Sequence, residues 1–224
     1  VETCSAKRLP VDVIVEAIEG HEQVLLAIDA PLGWPQDLGA QIARHYAGKP
    51  LDVEANDFFR RQTDKFVKAR IGQQPLDIGA DRIARTALSA LKLLGAVEAR
   101  TGMKIGLAWA AEPPTALKAI EVYPAATLRA HRLQNSGYKK PEDLEARSAI
   151  LAELAERMAV ECPADLLVAN ADALDAVVCV LAGADFLRGE SLGPRDAKAA
   201  EKEGWIWVRD PACHEYNQSL ETDG

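Results

Sequence analysis

The sequence predicts an α/β fold with a mostly parallel sheet, and three observations carry that expectation. Two short apolar runs, Val24–Ile28 and 119–123, stop abruptly at Asp29 and Pro124, as buried parallel strands do. Around them lie longer stretches whose apolar residues recur at helical spacing. The resulting order of strand, helical insert, strand, helix, helix suits a parallel core covered by helices.

Each element has its own local signal. Residues 11–18 follow Pro10 and precede Gly20, which predicts a short helix with proline at its start and glycine past its end. After the Val24–Ile28 strand, Pro31, Gly33 and Pro35 prevent any regular element from continuing. Asp29 therefore sits where a strand gives way to a loop, the edge at which ligands bind in open α/β sheets. Residues 36–102 read as a helical insertion, with Ile83, Ala84, Ala87, Leu88, Leu91 and Leu94 forming the apolar stripe of a long helix. A strand is expected over 104–110. A helix beginning at Pro141 should bury Leu144, Ile150, Leu151, Leu154 and Met158 and end before Pro163. Residues 170–184 form a helix that is apolar nearly all round, and a final strand is expected over 205–208.

Bulk properties narrow the classes of function. The 224 residues suit one domain with an insertion, large enough for a substantial core. The net charge of −8 argues against a surface that holds nucleic acid all over, while leaving room for a local basic groove. Cys4, Cys162, Cys179 and Cys213 form no C-x-x-C pair, which suggests free thiols in a reducing compartment. No run approaches the ~20 apolar residues of a membrane span, and no signal-peptide pattern is present, so a cytoplasmic protein is expected. There is no serine-hydrolase elbow, phosphate-binding P-loop or dinucleotide glycine pattern. The dispersed histidines, with Cys213-His214 lacking a second ligand pair, do not suggest zinc.

Four acids stand out from the solvated ones. Asp172 and Asp175 are the only charged residues in the apolar 170–184 segment, and three residues apart they lie on one helix side, roughly 5–6 Å between β-carbons. Asn170 is a good N-cap, so Asp172 can simply face the helix dipole; Asp175 lies beyond the first turn, among apolar neighbours. A carboxylate buried there needs a hydrogen bond, a counter-charge or a cation. Asp29 ends one strand, and Glu121 sits within the next, where a water-facing edge position is the alternative. Carboxylates converging from such elements suit hard, oxygen-ligated cations, Mg²⁺ or Mn²⁺. Two such ions can clamp the attacking and leaving oxygens of a phosphodiester.

Arg60, Arg61, Lys65, Lys68 and Arg70, and separately Arg129, Arg132, Lys139 and Lys140, could track a phosphate backbone. The alternative is solvated helix faces, with Arg61 and Asp64 forming a surface ion pair. Trp34 flanks Asp29 and is a candidate substrate contact.

Taken together, Ile28-Asp29-Ala30-Pro31-Leu32-Gly33, Arg61-x-x-Asp64, Glu121-Val122-Tyr123-Pro124, Asp172-Ala-Leu-Asp175-Ala176 and Glu203-Gly204-Trp205-Ile206 resemble the domain-of-unknown-function family DUF429, a group of predicted RNase H-like nucleases. The resemblance spans residues 24–211. The Asp172–Asp175 helix also resembles the last catalytic helix of Holliday-junction resolvases. The resemblance implies an RNase H-like mixed sheet flanked by helices and metal-dependent hydrolysis of nucleic-acid phosphodiesters. It further implies catalytic and metal-binding roles for Asp29, Asp172, Asp175 and Glu121, with Mg²⁺ or Mn²⁺ as cofactor and Arg61 and Asp64 as substrate contacts. A non-catalytic nucleotide- or protein-binding scaffold on the same fold is the alternative.

The implied fold begins with a β-hairpin whose first strand carries a central metal-binding aspartate. Only 23 residues precede Val24, and neither Glu2 nor Asp12 matches that motif. About 20–40 residues are therefore expected upstream of Val1, given strands of ~5–6 residues and their turns.

Overall fold

The computed structural model of the chain describes residues 8–79, 81–111 and 116–213. Glu2, Cys4 and His214 lie outside the described residues. The sheet is small and wholly parallel, with three strands in the order β1-β3-β2: β1 is Val24–Ile28, β2 is Gly106–Leu107 and β3 is Leu117–Glu121. Val24 pairs with Leu117 and Ile28 with Glu121, so the C-terminal ends of β1 and β3 lie side by side.

Helices cover both faces. Helix α1 (Pro10–Ile18) and the long α5 (Asp81–Thr101) pack through Ile18, Leu93 and Val97 against Val24, Leu26 and Leu117. On the opposite face α9 (Ala171–Leu187) lays Cys179, Ala182 and Phe186 against Leu25, Ala27, Ile120 and Val122. The far side of α9 buries Leu174, Val178 and Leu181 against Leu128, Ile150, Leu154 and Leu167. Those partners come from α6 (Pro124–Ala130), α7 (Leu144–Ala155) and α8 (Ala164–Ala169). This double contact is why α9 is apolar nearly all round: it is an interior layer. The insertion supplies α2 (Gln36–Ile42), α3 (Ala55–Phe59), α4 (Gln62–Ile71) and α5, and α10 (Ala197–Glu203) completes the set.

Several expectations change in detail. Residues 104–110 yield only the two-residue β2. The expected strand over 205–208 is a single parallel bridge from Ile206 to Glu121, with the Trp207 N–H donating to the Glu121 carbonyl at 3.0 Å. Ile206 N–H donates instead to the Thr63 hydroxyl at 2.8 Å, which diverts the chain from the sheet. Helix α7 starts at Leu144 rather than Pro141, because the Lys140 and Pro141 carbonyls accept from Arg147 at 2.6 and 3.0 Å. Glu121 lies on the central strand, not at an edge facing water. Cys179 and Cys213 are free thiols. Among the described residues no helix is long and apolar enough to cross a membrane.

Two buried polar ties fasten the periphery. Glu203, the last residue of α10, accepts from Gln36 N–H at 2.9 Å and Gln62 N–H at 2.8 Å, so one carboxylate satisfies the first turns of both α2 and α4. At the other end of α9, Asp185 takes His131 Nε2 at 2.7 Å and Arg209 at 2.9 Å, binding α6, α9 and the last described segment together.

Candidate active site

The motifs singled out in the sequence fall into two groups in space. Four of them meet at one buried guanidinium. Arg61, 2 % exposed, donates in parallel to both oxygens of Glu121 at 2.7 and 2.8 Å and to both oxygens of Asp64 at 2.9 and 3.1 Å. It also reaches the Glu203 carbonyl at 3.1 Å. Leu32 N–H donates to Glu121 Oε2 at 2.9 Å. A side chain at Gly33 would strike the Glu203 backbone at 2.6 Å, so that position requires glycine for close approach. Gly204, at φ +81°, passes beside Glu121 and Arg61. The two carboxylates facing Arg61 raise its already high pKa further. Glu121 and Asp64, 3 % and 1 % exposed, thus share one guanidinium as their counter-charge. This brace pins the loop that follows Asp29.

The second group lies beside it. Asp29 follows β1, while Asp172 and Asp175 occupy the first two turns of α9. Asn170 caps α9, accepting from Asp172 N–H at 2.9 Å and Ala173 N–H at 3.2 Å, so the backbone sets where both aspartates begin. Asp175 is 3 % exposed; Tyr138 donates its hydroxyl to Oδ1 at 2.9 Å, and the Lys139 ammonium is ion-paired with Oδ2. Asp172 is exposed. Asp29 retains solvent exposure, yet the surrounding protein, and after it the charges of Asp172 and Glu121, push its pKa up to about 6 against the pull of Lys139. Desolvation lowers the Lys139 pKa despite Asp29 and Asp172, and raises those of Tyr138 and Cys179.

Tyr138 and Lys139 stand on a loop held by Arg147, a buried guanidinium with carbonyl partners. It donates to the Tyr138 carbonyl at 2.6 Å as well as to those of Lys140, Pro141 and Val168. Sequence reading missed Tyr138 and Arg147, and it placed Lys139 in a basic cluster that could track a phosphate backbone without linking it to Asp175. No local pattern marks a loop residue that meets a helix 36 positions away.

Two cavities open on this cluster. One, of about 490 Å³, is lined by Asp29, Lys139, Tyr138, Tyr123, Gln73 and Asn135 among others. The second, of about 930 Å³, runs along β1 between α5 and α9 and touches Asp29, Asp172 and Asp175. Asp29 is common to both. Trp34 is half-buried and lines neither.

Asp29, Asp172 and Asp175 offer the hard oxygen donors that Mg²⁺ and Mn²⁺ prefer, and at Asp175 Oδ2 such a cation would compete with the Lys139 ammonium. Among the described residues, however, no group of three or more His, Cys, Asp or Glu side chains is arranged closely enough to hold a metal ion. Glu121, expected as a ligand, gives its oxygens to Arg61 and Leu32. The donor set suits a divalent cation in kind, and as it stands Lys139 supplies the neutralising charge.

A family model described as a protein of unknown function, DUF429, matches residues 3–199. No curated protein and no solved structure matches the chain.

Proposed function

For this chain, which belongs to the DUF429 family, we propose divalent-metal-dependent hydrolysis of phosphodiester bonds in nucleic acid, on an RNase H-like variant of the α/β fold. The observation that carries the reading is one cavity lined both by Asp29, at the end of a parallel strand, and by Asp172 and Asp175 on the helix that covers the sheet. Asp29, Asp172 and Asp175 are the side chains that would hold Mg²⁺ or Mn²⁺; bound there, the ion would polarise a phosphoryl oxygen and acidify a water. Ionised Asp29 is disfavoured in the free protein, and a cation would reverse that penalty.

The chain's own residues do the rest. Tyr138 fixes the orientation of the Asp175 carboxylate, and Arg147 fixes the Tyr138–Lys139 loop. The Lys139 ammonium offers positive charge to the phosphoryl oxygens. The Arg61 brace keeps Asp29 at the end of its strand. In the reaction, water oxygen bonds to phosphorus as the bond to the leaving oxygen breaks. The attacking water loses one proton to solvent and the leaving oxygen takes one up from solvent, so the products are a phosphate monoester and an alcohol.

Asp175→Asn is expected to abolish Mg²⁺- or Mn²⁺-dependent cleavage of oligonucleotides while the circular dichroism spectrum stays that of the wild type. Unchanged cleavage in a folded Asp175→Asn protein would overturn the assignment. The Lys139–Asp175 ion pair favours one second reading, a nucleotide-binding protein without catalysis. Calorimetric titration separates the two: the hydrolase binds Mg²⁺ or Mn²⁺, and the scaffold binds neither.

A further inference from the structure

The cavity of about 490 Å³ falls within the ~300–1,000 Å³ range of small-molecule sites, and its lining is of two kinds. Pro31, Pro75, Leu76 and Ile83 are apolar. Against them runs a relay of polar groups: Asn135 Nδ2 donates to Gln73 Oε1 at 2.7 Å, Gln73 Nε2 to the Tyr123 hydroxyl at 3.3 Å, and that hydroxyl to the Gln74 carbonyl at 3.2 Å. Each bond orients the next group, so this amide wall is fixed before any ligand arrives. Asn135 spends one N–H on Gln73 and keeps its carbonyl oxygen and second N–H for a ligand. The same cavity is lined by Asp29 and Lys139.

An apolar slot with amide hydrogen-bonding groups is the chemistry that receives a planar heterocycle with donors and acceptors on its edge. Proteins read unpaired bases in this way, and a base inside a duplex cannot enter such a slot.

The rest of the surface points the same way. Several of the basic residues that could have followed a long phosphate backbone are engaged within the protein. Arg60 is bound to Asp77 and Asn56, Lys65 to Asp57, and Arg70 to Asp210, while Arg129 donates to the Ile71 carbonyl. With a net charge of −8, recognition through one nucleotide is favoured over recognition through many phosphates.

We propose that this cavity is a receptor for a single unstacked nucleobase, so that the substrate is an unpaired nucleotide, in a single strand or at a chain end, and not a continuous duplex. The proposal rests on the hydrolase reading for the position of the phosphate and on the cavity alone for the base.

The test is titration of the full chain, in EDTA, with the four ribonucleosides and their 5′-monophosphates, with ribose 5-phosphate and inorganic phosphate as controls. At least one nucleoside should bind saturably. Asn135→Ala should weaken it about tenfold, the loss of roughly one good hydrogen bond. Leu76→Trp, made at an exposed position on the cavity wall, should block it without unfolding the protein. The proposal is overturned if no nucleoside binds at millimolar concentration, if ribose 5-phosphate binds as well as the nucleotides, or if Leu76→Trp binds like the wild type. Base binding without cleavage removes the hydrolase reading alone, whereas cleavage without base binding removes the receptor alone.

Discussion

Asp29 and Asp175 are both acids in a crowded, partly apolar setting, and the protein treats them differently. Asp175 is buried yet compensated, by the Tyr138 hydroxyl and the Lys139 ammonium. Asp29 is more open but meets two other negative charges, and its ionised form is the disfavoured one. Its ordinary value of 3.8 rises to about 6, so between those pH values the unfolded chain gives up this proton first. The folded state then binds more protons, and its stability falls as pH rises. The Asp29 contribution is therefore fully present below about pH 4 and lost by the time pH has passed about 6. Asp29→Asn, which resembles the protonated acid, should match the wild type below pH 4 and exceed its stability above pH 6. After allowance for solvent screening of an exposed carboxylate, the gain should be about 1 kcal/mol or less. Urea unfolding in EDTA across pH 3.5–8 checks this, and a variant less stable at neutral pH would contradict it.

Between elements, the decisive contact is the Arg61 brace. Arg61 precedes α4, Glu121 ends β3, and the Leu32 N–H belongs to the loop after β1, so one guanidinium joins the insertion to the sheet. Removing one member of a buried ionic cluster leaves uncompensated charge, at a cost of about 3–5 kcal/mol. Arg61→Ala should lose stability of that order in urea unfolding. Arg61→Lys should recover only part of it, because an ammonium cannot pair in parallel with two carboxylates. If Arg61→Ala costs under about 1 kcal/mol, the brace is not the tie described. Arg147 plays the corresponding part for the Tyr138–Lys139 loop, though its partners are carbonyls and carry no opposite charge.

At the scale of the whole molecule, charge is spent inward. In this acidic protein several basic residues on the candidate track bind its own carboxylates and carbonyls, which leaves fewer for a phosphate backbone. The affinity of a single-stranded oligonucleotide should then depend weakly on salt. One or two phosphate contacts give a slope of about −0.7 to −1.4 in log Kobs against log salt. A slope steeper than about −4 would reveal a basic track that the fold does not show.

The apolar periodicity by itself determined the α/β class, β1 at Val24–Ile28 and the long helices, because burial on a strand or helix leaves a repeating imprint in the chain. It also marked Asp29, Asp172 and Asp175, since a carboxylate among apolar neighbours is costly wherever it folds. The weak, short elements were less legible. β2 and the Ile206 bridge have too few backbone bonds to impose a pattern, and the start of α7 depends on carbonyls claimed by Arg147. Only the tertiary structure decided which acids stay together. It assigned Glu121 and Asp64 to Arg61, brought Lys139 from a distant loop to Asp175, and built the cavity of about 490 Å³ from stretches far apart in the chain. Those outcomes turn on long-range electrostatic pairing, in which a partner is chosen by position in space, and no local spacing encodes that choice.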